Sequence, residues 1–187
     1  MQDMRSAALR ARQSLSTEKR ITASEKLCGD VVRSREFRSA SNIACYFPMR
    51  YEVDARAIIE RAWCAKKRIF VPVLRNSQQM LFQEVTPQTQ LQKNTMSIWE
   101  PQDGYVISPR KLDLVITPTV AFDHHGHRIG MGGGYYDRCF SFLRHRRKWL
   151  RPKLVGVAFQ CQEFEEITPN PWDIRLYRVF SEQLSHE

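Results

Sequence analysis

LDLVITPTVAFDHHGHRIGMGGGYYDR, residues 112–138, holds the two signals that decide the fold. Residues 112–117 (LDLVIT) form a short, β-branched apolar run closed by Pro118, which predicts a strand. After a glycine-rich polar stretch, Tyr136, Phe140 and Leu143 fall on one face at helical spacing. Strand, glycine-rich loop and helix in that order are the repeating unit of an α/β sheet. The pattern continues outward in both directions. Upstream, residues 42–48 (NIACYFP), 69–74 and 80–85 read as strands. Between the first two lies a helix with Ala55, Ile58, Ile59, Ala62 and Trp63 on its inner face and Asp54 as its cap. Downstream, residues 153–159 (KLVGVAF) read as another strand, whereas 86–104 is polar and turn-rich. Two helices open the chain. The first has Met4, Ala8, Ala11 and Leu15 in one stripe, edged by Arg5 and Arg12. The second is capped by Ser16 and carries Ile21, Cys28, Val31 and Val32 inward. Near-continuous apolar strands fit a sheet covered on both faces. The expectation is an α/β fold: a single domain over residues 1–187 with a mostly parallel central sheet flanked by helices.

Bulk composition narrows the class. The chain has 187 residues, 42% hydrophobic and 26% charged, ordinary values for one globular domain. Its net charge of +9 points to an anionic partner: a nucleic acid, an acidic membrane surface or a small polyanion such as a nucleotide. Five cysteines without a C-x-x-C pair suggest neither a zinc site nor a disulfide framework. No apolar run approaches the roughly 20 residues of a membrane span, so no membrane partner is expected. The basic N-terminus lacks the apolar stretch of a secretory signal, and Asp3 argues against a mitochondrial leader, so the expected location is cytoplasmic.

The loop carries the chemistry. Gly130, Gly132, Gly133 and Gly134 fall between a strand and a helix, where open α/β sheets place their ligands. Glycine allows positive φ and close approach to backbone N–H groups, and successive amides at a helix start attract anions. Arg128 adds a guanidinium suited to phosphate oxygens. Neither the Walker pattern nor G-x-G-x-x-G is met, because Tyr135 stands at the third glycine position. On residues alone the loop is a phosphate site or an elaborate turn. Asp137 has two readings as well: a magnesium ligand beside phosphates, or a first-turn aspartate complementing the helix dipole.

The string FDHHGHRIGMGGGYYDR closely resembles the signature of the 5-formyltetrahydrofolate cyclo-ligase family, F-D-x-x-G-x-R-L-G-x-G-x-G-Y-Y-D, with Ile129 in place of leucine. FPMRYEVDA, residues 47–55, is similar to a second family segment. The resemblance implies a NagB/RpiA/CoA-transferase-like fold and an ATP- and magnesium-dependent ligase of folate one-carbon metabolism. It implies ATP contacts from Arg5, Arg128, Ile129, Gly130, Met131, Gly132, Gly133, Gly134, Tyr135 and Tyr136. Asp137 and Asp173 match the family's metal ligands, and Phe47 and Glu52 its folate-binding residues, with Arg128 and Glu52 as the catalytic pair. Without that match Glu52 reads as a solvated loop residue. Met1 stands where the family carries a basic residue one turn before Arg5. The implied partners are ATP and a reduced folate, polyglutamylated or not, and the implied assembly is a monomer or weak dimer.

Two other features compete for a function. The histidines of H-H-x-H, His124, His125 and His127, match no zinc spacing. The run RHRRKWLR, residues 144–151, has phosphate-tracking composition, with Trp149 able to stack on a base. Its expected place at the C-terminal end of the helix begun near Tyr135 explains it as a dipole-favoured, solvated end. No nucleic-acid partner is expected.

Overall fold

The computed structural model describes residues 1–75, 79–95, 97–144 and 151–183. Helices α1 (Gln2–Ser14), α2 (Thr17–Arg33) and α3 (Arg35–Ser39) precede strand β1 (Asn42–Ala44). Helix α4 (Arg56–Cys64) leads to β2 (Arg68–Leu74), β3 (Met80–Val85), β4 (Leu91–Lys93), β5 (Trp99–Pro101) and β6 (Val106–Ile107). Then follow β7 (Leu114–Pro118), β8 (Ala121–Phe122), β9 (Arg128–Ile129), α5 (Tyr135–Cys139), β10 (Lys153–Val157) and β11 (Arg178–Phe180).

Seven strands form one sheet in the order β11-β10-β7-β1-β2-β3-β6. The pairs from β11 across to β2 are parallel; β3 and β6 add an antiparallel edge. The mostly parallel sheet is the one expected. Side chains alternate between its faces, as a strand's two-residue period requires. Ile43, Ile69, Leu114, Ile116, Val155 and Val157 pack with α2, α3 and α4 through Leu27, Val31, Phe37, Ile58 and Ile59. Ala44, Phe70, Val115 and Leu154 point the other way, to Phe140, Tyr135 and Tyr136. A third cluster seats α1, through Met4, Ala8 and Leu9, on Val120, Ala121 and Ile129 of the β8–β9 hairpin. That contact sets the N-terminal helix beside the glycine loop.

Ser16 caps α2 as expected, its Oγ accepting from Lys19 N. The N-cap of α4 is Ala55 and not Asp54, whose Oδ1 accepts from Arg56 N one position outside the helix start. Four further expectations are corrected. Ile21 is exposed, because the buried row of α2 starts one turn later, at Ser24. The strand expected over 42–48 ends at Ala44, although Cys45 N still donates to Phe70 O; Pro48, lacking an N–H, cannot prolong such a ladder. The stretch 86–104 contains the β4–β5 hairpin, held to β2 by Glu100, whose Oε1 accepts from Leu74 N and Asn94 Nδ2. Helix α5 stops at Cys139, where Phe140 leaves helical geometry and buries its ring 5.7 Å from Phe82. A 3-10 turn, Ser141–Leu143, follows in place of further α-helix. Arg144 donates to Ser141 O and Arg151 pairs with Asp113, while the rest of the basic run, 145–150, lies outside the described residues.

Gly156 lies in β10, between β7 and β11, and is packed closely on its side-chain face. A Cβ there would stand 2.6 Å from Leu176 Cδ1 and 3.0 Å from Thr119 Oγ1. Gly156→Val is therefore expected to cost about 1–3 kcal/mol by overpacking. Urea unfolding should show a lower midpoint with an unchanged slope.

Candidate active site

The glycine loop begins where Asp123 organises the β8–β9 turn. Its side chain is fully buried and accepts four bonds. Oδ1 takes His125 N at 3.0 Å and His127 N at 2.9 Å; Oδ2 takes Ile167 N at 3.0 Å and lies 2.9 Å from His127 Nδ1. His127 is thus engaged by Asp123, and the rings of His124 and His125 lie tilted by 42° with centroids 3.8 Å apart. Among the described residues no group of three or more His, Cys, Asp or Glu could hold a metal.

From this turn β9 delivers Arg128, which is 9% exposed. Its Nη1 donates to Ile174 O at 2.6 Å and its Nη2 to Asp137 Oδ1 at 2.9 Å. The same Asp137 Oδ1 accepts Ile174 N at 3.0 Å. Asp137 is therefore more than a dipole partner in the first turn of α5: it is the counter-ion of a buried arginine. Asp173, one residue before Ile174, is brought to this side of the molecule; its Oδ2 accepts from Asn170 N and Nδ2. Asn170 Nδ2 also meets Met1 Sδ at 3.9 Å, so the start of α1 lies against the Asp173 segment.

The loop itself, residues 130–133, is exposed. Gly132 and Gly134 have φ of +99° and +63°, the left-handed region the glycine reading requires. Arg5 reaches over the loop: its Nε donates to Gly130 O at 2.8 Å, and its guanidinium carbon is 3.6 Å from the place of a Cβ on Gly132. Any side chain at 132 would meet that arginine. Arg138 covers the Tyr135 ring at 5.1 Å and would clash with a Cβ on Gly134.

A cleft of about 630 Å³ opens beside the sheet between residues 47–56 and the β4–β5 hairpin. Phe47, Met49, Leu91 and Trp99 give it apolar walls; Arg50, Asp54, Arg56 and Glu52 give it charge. Phe47 and Glu52, paired by sequence, share this cleft. The solvated reading of Glu52 is overturned, since its side chain is 9% exposed. Its Oε2 accepts Met49 N at 2.9 Å. Burial pushes its carboxyl above the ordinary range, with the Met49 N–H and Arg12 pulling the other way. Tyr136, in the first turn of α5, packs against the second face of the sheet. Burial foremost, then Cys45 and Glu52, push its phenol up, while Arg128 pulls it down, so it stays protonated at neutral pH.

Sequence reasoning missed two residues. Asp123 stood in the signature without a role, although D-x-x-G before a polar turn is an aspartate-turn pattern. Arg12 passed for a polar helix edge, yet it is 6% exposed and faces Glu52. Its spacing of seven from Arg5, two turns on one helix face, was the available signal.

Asp123 gives a pH-dependent prediction. Burial pushes its carboxyl up, but the Ile167 and His127 N–H groups and the His127 ring outweigh that and hold it below the ordinary range. A depressed folded value adds stability above the unfolded aspartate's pKa of about 3.9, and the gain is lost as pH falls through the folded value. Asp123→Asn turns an N–H₂ toward existing donors and should cost at least about 2 kcal/mol at pH 7. In urea unfolding at several pH values, the gap between the two proteins should narrow below about pH 4.

Comparison with known proteins gives the family. The profile of the 5-formyltetrahydrofolate cyclo-ligase family matches residues 1–182. A 5-formyltetrahydrofolate cyclo-ligase of Haemophilus influenzae is 34% identical over 182 residues, covering 95% of each chain. One from Escherichia coli K12 is 38% identical over 144 residues, covering 75% of this chain and 77% of that one. The NMR structure of Aquifex aeolicus 5,10-methenyltetrahydrofolate synthetase superposes with a TM-score of 0.82 at 30% identity, over 97% of this chain and 89% of that one. With its signature loop closed by Arg128 and Asp137 and its profile matched along nearly the full length, the chain belongs to the 5-formyltetrahydrofolate cyclo-ligase family of enzymes.

Proposed function

We propose that the protein closes 5-formyltetrahydrofolate to 5,10-methenyltetrahydrofolate, using magnesium-ATP and releasing ADP and phosphate. The observation that carries this reading is Arg5 lying on the glycine loop, with Glu52 and Phe47 together in a separate cleft. The loop amides and Arg5 suit an anionic polyphosphate. The cleft suits a flat, amide-edged ring: Glu52 Oε1 accepts from ring and amino N–H groups, and Phe47 packs on the face.

The chemistry needs both halves. A formamide oxygen cannot leave as hydroxide. Transfer of the γ-phosphoryl group to that oxygen makes ADP and an activated carbon. The neighbouring folate nitrogen then attacks the carbon, its proton passes to solvent, and the C–O bond breaks to release phosphate. Positioning and charge neutralisation dominate such transfers, so no nucleophilic side chain is required. Arg5 binds phosphate oxygens, and Glu52 and Phe47 orient the folate by its ring. Arg128 braces the loop through Asp137 and Ile174 and is near enough to balance developing charge. Magnesium, a hard cation that prefers oxygen, fits Asp137 and Asp173 as its two protein carboxylates, with nucleotide oxygens completing the set. When bound it would neutralise phosphate charge.

Incubation with magnesium-ATP and 5-formyltetrahydrofolate should raise the near-ultraviolet absorbance of the methenyl product, with one ADP per folate closed. Equal rates in excess EDTA, or without ATP, would remove the magnesium-ATP part of the reading. Asp137→Asn should lower kcat/KM by on the order of a hundredfold or more. It should also lose about 1–3 kcal/mol of stability through Arg128, so kinetics are compared well below the variant's melting midpoint. Arg5→Ala should raise the KM for ATP and leave that for folate nearly unchanged. Near-normal kinetics in both variants would return these residues to structural roles.

A further inference from the structure

Helix α1 carries two arginines on one face, seven residues and about 10.5 Å apart. Arg5 touches the glycine loop, and Arg12 turns inward at the opposite end. The Arg12 side chain is 7% exposed, and its Nη1 stands 4.0 Å from Glu52 Oε1. That separation is too long for a hydrogen bond, yet short for two charges with little water between them. Among the described residues, Arg12 Nε is buried without a hydrogen-bond partner. A guanidinium left so in a protein interior needs a reason.

We propose that Arg12 is a positioning residue for the folate site: it keeps the Glu52 carboxylate ionised and directed into the cleft without occupying Oε1. Resting on the reading of Glu52 as the folate contact, this explains the geometry. Met49 N takes Oε2, and a closer arginine would take Oε1, the atom a ligand's N–H groups need. At 4.0 Å the cation supports the charge and leaves the acceptor open. Among the described residues Arg12 is the cation within 4.0 Å of Glu52. From the β1 side, Cys45 is pushed up to about 12 and Tyr46 well above its usual value, and Tyr136 on α5 is pushed up too. All three are neutral near pH 7. Arg50, Asp54 and Arg56 line the same cleft, where Arg56 is paired with Asp54. Cys161 faces Arg12 and is also raised by burial. A single helix thus places one cation at each of the two substrate subsites.

The test uses Arg12→Met, Arg12→Gln, Arg12→Lys and Glu52→Gln in the full chain, with KM for each substrate measured from pH 6 to 9. Arg12→Met should raise the KM for 5-formyltetrahydrofolate tenfold or more at pH 7, leave that for ATP within about twofold, and recover at higher pH as Glu52 ionises. Arg12→Lys should restore most of the affinity at pH 7. With Glu52→Gln in place, adding Arg12→Met should change the folate KM little. If Arg12→Met does not fold, Arg12→Gln decides by the same readouts. An unchanged folate KM and pH profile in the Arg12 variants, alongside weakened folate binding in Glu52→Gln, overturns the role of Arg12 alone. Unaltered folate binding in Glu52→Gln overturns the underlying reading of the cleft.

Discussion

The ion pair between Arg128 and Asp137 ties together three segments that are distant in sequence. Arg128 comes from the hairpin before the glycine loop, Asp137 from the helix after it, and Ile174 from the chain's last third. Both ends of the loop are thereby fixed to one another and to the segment bearing Asp173, while residues 130–133 between them stay exposed. A buried pair of this kind adds little net stability, but breaking it leaves an uncompensated charge. Its contribution here is geometric.

The sheet provides the platform for that arch. Five parallel strands end on the same side, and the chain leaves β7 there to build the β8–β9 hairpin. Asp123 replaces missing backbone partners in the hairpin turn with four side-chain contacts. Helix α1 then closes over the hairpin by apolar contact, which brings Arg5 to Gly130 O. The cleft forms separately. The β4–β5 hairpin, braced by Glu100 against β2, supplies Trp99 and Leu91 opposite Phe47 and Glu52. The glycine loop and the cleft are thus built from different segments of the chain.

Charge is distributed by the same logic. The net charge of +9 gives an overall attraction for anions, and a few arginines are held by the fold at fixed points. Arg5, Arg12 and Arg128 each face a particular oxygen: a loop carbonyl, a carboxylate in the cleft, and a carboxylate at a helix start. Exposed arginines such as Arg56, paired with Asp54, and Arg33, paired with Asp30, sit in surface pairs of small energetic weight.

The sequence by itself determined the α/β class, because alternating apolar strands and amphipathic helices are local patterns with fixed periods. It determined the glycine loop as well, where Gly132 and Gly134 adopt the positive φ that only a side-chain-free residue takes easily. It also paired Phe47 with Glu52, though through family resemblance and not through any property of the residues. The tertiary structure alone decided the rest. The end of α5 at Cys139 depends on Phe140 finding Phe82, a contact across 58 positions that no local window contains. Arg12 and Glu52 lie 40 residues apart and each reads as solvated in its own segment. They become a buried pair only when α1 folds across the hairpin and the 47–56 segment turns back beneath it. Periodicity records which face of a helix is apolar. Which polar group that face carries into the interior is decided by what the helix meets there.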